Sequence, residues 1–462
     1  INGFVEDGAT ISLDNGIYIL DKTILANAHD LTIEGAGQFS TYLTVADGAE
    51  VKPIEIGSDG TTYENVTVTN SSTEGFEVGT DGAFEEDSAV SSTNATLRNV
   101  TVADNAADGI SAGKGDGVLL SNVTAVDNGE RGVRLEIPGT VRDLTATDND
   151  GDGIKVTADA DGATVADVTA KRNDDEIEVS VANATVRDAV VTNNGDYGVS
   201  AIGVVNNTFD DVTITRHGRT GIRLGEGATL VDSVVRNNTQ DDSYTDPGIS
   251  VNGKNATVRS VTVATNDDGI EIDGSTNVVV RETTVTNNTK RGVFLDTDST
   301  NATLRDVTAT DNGKGVFAEP RAGENLTLTG VTARNNTDVG ISLAPRSGTR
   351  VVDTVTENNT DAELLARSST SELAPPVGTL NGTNVTVGTT TFATVELKNT
   401  SAEGNLTSPP SPTGESETVR TVGNLRRLDT GAYADVTVEY ADTDALGLND
   451  SSFEVARYDS AS

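Results

Sequence analysis

The chain of 462 residues contains no cysteine, so neither a disulfide framework nor a thiolate metal site is available to it. It has no tryptophan, and aromatics make up only 4% of its residues against 35% hydrophobic residues overall. A wide globular core is hard to fill without large side chains. A narrow core of Val, Ile, Leu and Ala, as in stacked repeats, is easier to fill. Methionine is absent even from position 1, so the chain is expected to begin after processing or to be a fragment. No stretch approaches the roughly 20 apolar residues of a membrane-spanning helix, and no signal peptide is visible.

Basic residues are also scarce. The formal charge is −40, from 72 acidic against 32 basic residues, and Arg outnumbers Lys more than two to one. This excludes the basic footprint of a nucleic-acid binder. The composition resembles that of proteins from halophilic archaea. Self-repulsion at this charge density is costly in dilute buffer, and molar salt cuts the Debye length to about 3 Å.

What the sequence has in abundance is self-similarity. ATLRNVTVADNAADGISA from Ala95, VLLSNVTAVDNGERGVRL from Val118, TVRDLTATDNDGDGIKV from Thr140 and ATLRDVTATDNGKGVFA from Ala302 share one plan. An apolar–polar strand is followed by a V-T-x run, an Asn, a polar turn and Gly-Ile/Val. The unit recurs every 21–25 residues from Asn65 to about Arg367, a solenoid period. Alternating β-branched residues within it predict short strands with no helical stripe. Each unit is too short for a strand–helix–strand crossover, and coils stacked ~4.8 Å apart would bury one apolar column.

One asparagine per unit keeps a single register: Asn105, Asn128, Asn149, Asn173, Asn194, Asn238, Asn266, Asn288, Asn312, Asn336 and Asn359. A bend residue that tolerates left-handed backbone, with its amide bonded to identical amides above and below, predicts a structural ladder.

These features resemble the pectate-lyase-like superfamily of right-handed parallel β-helices. GATISLDNGIYIL from Gly8 and LTIEGAG from Leu31 resemble its opening coils. The expected fold is therefore all-β: a right-handed parallel β-helix of a dozen or more coils over residues 1–370, with N-terminal coils at 1–64 and regular repeats at 65–367. A linker over 371–378 would lead to a small sandwich-like β domain over 379–462. Acidic insertions fall at Glu77–Ser92 and Gln240–Pro247. Solenoid insertions often gather on a binding face, although tolerated surface loops are as simple a reading.

Several motifs bear chemistry. In DNDGDG, Asp148, Asp150 and Asp152 alternate like the first half of a calcium loop, and Asp159 sits where the last ligand would fall. The same residues also fit an acidic repeat turn. Hydrolases of the superfamily use clustered Asp residues as acid and base, with His and Arg nearby. In TFDDVTITRHGRTGIRLGEG the matching residues are Asp210, Asp211, His217, Arg219 and Arg223. The superfamily's separate N-x-D and R-x-K segments are not matched. Asp211 also occupies the corner held elsewhere by Asp143, Asp167, Asp188 and Asp306, and His217 replaces a ladder Asn. Sequons are dense. N-linked glycans are expected among Asn65, Asn94, Asn99, Asn122, Asn183, Asn206, Asn237, Asn255, Asn287, Asn301, Asn325, Asn335, Asn358, Asn381, Asn384, Asn399 and Asn405.

The leading expectation is a non-catalytic extracellular surface glycoprotein: a stalk, adhesin or filament subunit. Its partners would be further copies of itself, head to tail or side by side, or cell-surface glycans and proteins. No cofactor is required, and calcium is the ion that the Asp148 motif would take. The alternatives are a polysaccharide lyase or hydrolase and a glycan-binding module, the latter disfavoured by eight scattered Tyr.

Overall fold

The computed structural model describes residues 5–46, 49, 51–79, 91–238, 246–319, 322, 325–343 and 350–366. Beyond these it describes only the backbone of strands between 372 and 429. The core of each insertion and most of the expected C-terminal domain, including Asn405, lie outside the described residues. No helix occurs among those described, and the strands form a parallel solenoid of about 14 turns. Its strands divide between two compact units, Ile1–Asp246 and Pro247–Ser462.

Within the first unit each regular coil has three faces. The strand Gly139–Thr147 supplies two of them, because Asp143 bends it with φ 54°. The same corner is occupied by Asn99, Asn122, Asp167, Asp188 and Asp211, all with φ between 51° and 54°. Short polar side chains that bond locally make this left-handed backbone tolerable. A third face follows the ladder turn, as in Asp152–Val156 and Asp175–Val179.

Parallel register carries like residues over like. Val141 lies over Val165, which lies over Val186, which lies over Phe209, and Ile154 lies over Ile177. All of these are essentially inaccessible. Each fully buried aliphatic side chain is worth roughly 1.5–3 kcal/mol, so a narrow column is enough when every coil contributes to it. The second unit repeats the pattern: Val280 over Leu304 over Leu328, and Ile270 over Val293 over Val316. In that unit Gly378–Val387, Thr390–Thr400 and Leu425–Asp429 pair antiparallel.

The third face begins at a glycine for a steric reason. A Cβ on Gly153 would lie 2.6 Å from the Nδ2 of Asn173, and one on Gly198 would lie 2.5 Å from the Cγ2 of Ile214. Backbone and ladder are so close here that most coils leave no room for a side chain.

Candidate functional site

The asparagines form hydrogen-bonded columns within each unit, interrupted in the first unit where a histidine replaces one rung. Asn128 donates through Nδ2 to the Oδ1 of Asn149 at 2.8 Å, and Asn149 donates in turn to Asn173 at 2.8 Å. Each Oδ1 also accepts the backbone N–H of the previous rung, as from Asn128 to Asn149 at 3.2 Å. In the second unit Asn288, Asn312, Asn336 and Asn359 continue the pattern. That column ends on a residue the sequence did not reveal. The buried Glu363 accepts from both the backbone and the amide of Asn359.

His217 belongs to the first column. It is fully buried, its N–H donates to Asn238 Oδ1 at 3.2 Å, and its Nε2 lies 3.1 Å from the Val191 carbonyl, which must accept. Its Nδ1 and the Nδ2 of Asn194 on the preceding rung are buried without partners among the described residues. The column is therefore weakest at this rung. Burial pushes the imidazole down to about 4 from an ordinary 6.5, against a smaller opposing effect of the Val191 carbonyl. A depressed folded pKa means that stability is present above 6.5 and is lost as pH falls toward 4. His217→Asn should therefore keep the fold and move the acid unfolding midpoint to lower pH, measured by circular dichroism at constant salt. An unchanged midpoint would show that His217 is not what fails in acid.

The catalytic candidates of this coil are not brought together. Asp210 is on the first face, in register with Arg187 and Val231. Asp211 is the bend residue, with φ 51°. His217 is internal, and only Arg219 and Arg223 approach the third face. A side-chain period of two combined with a bend in every coil sends near neighbours in sequence to different surfaces.

The Asp148 motif diverges for the same reason. Asp148 sits at a left-handed corner and is held by Arg172 through a 2.6 Å Nε bond and a 2.5 Å Nη2 bond, which keep its carboxyl below the usual range. Asp150 and Asp159 are exposed. Asp152 lies on the third face, 3.3 Å from Arg131 and 3.7 Å from Lys155, and burial pushes its carboxyl up to about 6. These four residues do not form a ligand shell.

The third face of the first unit has a cluster of its own. Asp175, Glu176 and Asp196 each place one carboxylate oxygen within 4.8 Å of the others. Asp175 lies in register with Asp152. Glu176 occupies the position held by glycine in neighbouring coils, and burial, reinforced by Asp152, pushes its carboxyl up to about 7. Beside this cluster, Tyr197 lies beneath two guanidinium groups. Arg223 Cζ is 4.4 Å and Arg219 Cζ 5.7 Å from the ring centre, and Arg219 Nη1 donates to the phenol oxygen at 3.2 Å. Arg219 Nε pairs with Asp196 at 2.9 Å. Arg223 makes no ion pair among the described residues. The second face, by contrast, shows Thr101, Thr124, Thr145, Thr169 and Thr213.

The sequons fall at corners. Asn65, Asn99 and Asn122 line the first bend. Asn237, Asn287, Asn335 and Asn358 precede the ladder, and Asn94, Asn183, Asn206, Asn255, Asn301 and Asn325 lie at the return to the first face. All have positive φ. Asn381, Asn384 and Asn399 lie on strands described only as backbone.

Parallel coils with bent corners and an internal asparagine column define a pectate-lyase-like right-handed parallel β-helix. The family profile described as right handed beta helix region matches residues 88–240, 201–361 and 247–402, and the chain belongs to that family. No curated protein matches it in sequence. Among solved structures, the A-module of a mannuronan C-5 epimerase from Azotobacter vinelandii is 16% identical. That match covers 75% of this chain and 90% of the module, with TM-score 0.42. A periplasmic alginate epimerase is 14% identical over 68% of this chain and 77% of its own, with TM-score 0.45. The N-terminal fragment of bacteriophage Phi29 gene product 12 is 10% identical over 76% of this chain and 67% of its own, with TM-score 0.50. At such identities the likeness is one of fold. No helix among the described residues is long and apolar enough to cross a membrane.

Proposed function

We propose that the chain is an exported polysaccharide-active enzyme that acts on uronate-bearing chains along the third face of its first unit. The observation that carries this reading is Tyr197 set beneath Arg219 and Arg223. Removing the proton beside a sugar carboxylate requires a cation for the carboxylate and a base for the proton. Arg223 supplies the first, and Tyr197, oriented by Arg219, supplies the second. Tyr197 acts as its phenolate, held by the Arg219 donor, and becomes the phenol when it takes the C5 proton. Either the C4–O bond then breaks and the departing oxygen takes that proton from Tyr197, which leaves an unsaturated sugar, or water gives a proton to the opposite side of C5, which is inverted, and Tyr197 returns its proton to solvent. A chain of charge −40 repels a polyanion, so turnover should need salt concentrated enough to screen it. The test is incubation with acidic polysaccharides in molar NaCl made up in D2O. Unsaturated ends by ultraviolet absorbance, or deuterium at C5 by NMR, support the proposal. Neither product from any uronate polymer would overturn it.

A second reading, a non-catalytic surface protein that assembles through its ends, is favoured by one observation. On the first-coil strand Gly16–Leu20, Ile17 is 70% and Ile19 69% exposed. A chain without turnover that sediments as assemblies, and dissociates on Ile17→Lys, would carry this reading instead.

The same exported setting makes N-glycans part of the proposal, and the corners select among the sequons. Asn122 donates through Nδ2 to Asn99 at 2.8 Å, and Asn99 to Asn65 at 2.9 Å. Asn206 donates to Asn183 at 3.5 Å, Asn325 to Asn301 at 2.8 Å, Asn301 to Asn277 at 3.1 Å and Asn277 to Asn255 at 3.0 Å. Only the first residue of each column, Asn65, Asn183 or Asn255, leaves its amide nitrogen undonated among the described residues. Rungs ~4.8 Å apart cannot both carry a sugar. Glycopeptide mapping of the protein from its natural source should find glycans at those three and bare Asn99, Asn122, Asn206, Asn301 and Asn325. Bare peptide throughout, or the opposite pattern, removes the proposal.

A further inference from the structure

We infer that Asp175, Glu176 and Asp196 hold a divalent cation of the calcium type that staples two successive coils together. Asp175 and Glu176 come from one coil and Asp196 from the next, and their oxygens converge within 4.8 Å.

Convergence of acids alone would say little on so acidic a chain, but Glu176 adds an independent observation. It is 8% exposed, its carboxylate bonds to nothing beyond its own backbone amide, and it points into the group formed with Asp175 and Asp196. It also stands where Gly132, Gly153, Gly198 and Gly221 stand in neighbouring coils. A side chain is therefore present where the repeat normally excludes one, and it brings a charge among like charges. Burying an unpaired carboxylate is expensive unless a cation or a proton neutralises it.

Two of the nearby cations are engaged elsewhere: Lys155 pairs with Glu178 and Asp152, and Arg131 with Asp108, Glu130 and Asp152. Arg219 reaches one acid of the group, Asp196, so Asp175 and Glu176 have no ion-pair partner among the described residues. Three carboxylates and no nitrogen or sulfur ligand suit a hard cation. Calcium accepts six to eight oxygens in irregular geometry, and water and backbone carbonyls can complete its shell. The site touches the Tyr197 centre through Asp196, which pairs with Arg219, but its role does not depend on that centre. It links coils whether or not the polysaccharide reading holds.

The test is thermal unfolding of the whole chain at fixed ionic strength, with added CaCl2 or with EDTA, together with calorimetric titration by calcium. The wild type should gain about 5–10 °C at calcium a hundredfold above its Kd. Glu176→Gly restores the repeat residue, so it should fold well without calcium, lose that gain and lose one titratable site. No calcium shift in the wild type would overturn the inference. So would an equal shift in Glu176→Gly.

Discussion

Asn149→Ala is expected to destabilise the protein by about 3–6 kcal/mol, a large loss for one ladder position. Asn149 lies mid-column and has four hydrogen bonds to lose. Its Oδ1 accepts from the backbone and amide nitrogens of Asn128, and its Nδ2 donates to Asn173 Oδ1 and to the Ala125 carbonyl at 3.3 Å. Truncation leaves those partners buried and unpaired at roughly 1–3 kcal/mol each, partly relieved by relaxation or water. Denaturant unfolding in molar salt measures the effect. A loss below about 1 kcal/mol, the worth of an ordinary exposed bond, would mean that the column follows the fold without supporting it.

Tyr197→Phe should lower turnover about 10²–10⁴-fold, the usual contribution of a positioned proton-transfer group. It should leave the melting temperature nearly unchanged, because the ring still stacks beneath Arg223 and loses only its bond to Arg219. Arg223→Lys should act differently. A point charge cannot grip a carboxylate with two parallel bonds, so KM rises more than kcat falls. Equal activity of wild type and Tyr197→Phe would remove Tyr197 from the chemistry.

The fold was legible in the sequence because the repeat exposes its own register. Asn105 to Asn359 recur at one position of each unit, and the same alignment marks His217 as a ladder substitute. The corners were legible in part: Asp143, Asp167, Asp188 and Asp211 were recognisable as equivalent before their left-handed backbone was seen. The site was not. DNDGDG reads as a ligand loop along the chain, yet one corner separates Asp148 from Asp152 and gives each its own cation. Conversely, Asp175, Glu176 and Asp196 converge only once adjacent coils are stacked. The single signal available in sequence was a Glu in the glycine register at 176. Tyr197 carries no signal along the chain, being one of eight scattered tyrosines. Its setting beneath two arginines comes from the following coil, 22 residues further on at Arg219.

The choice between a working face and a working interior can be made by assaying His217→Asn and Tyr197→Phe side by side on an acidic polysaccharide in molar salt. Function on the third face requires His217→Asn to retain wild-type turnover and Tyr197→Phe to lose it. Loss in His217→Asn with retention in Tyr197→Phe would contradict that placement and return the chemistry to the Asp210–His217 coil.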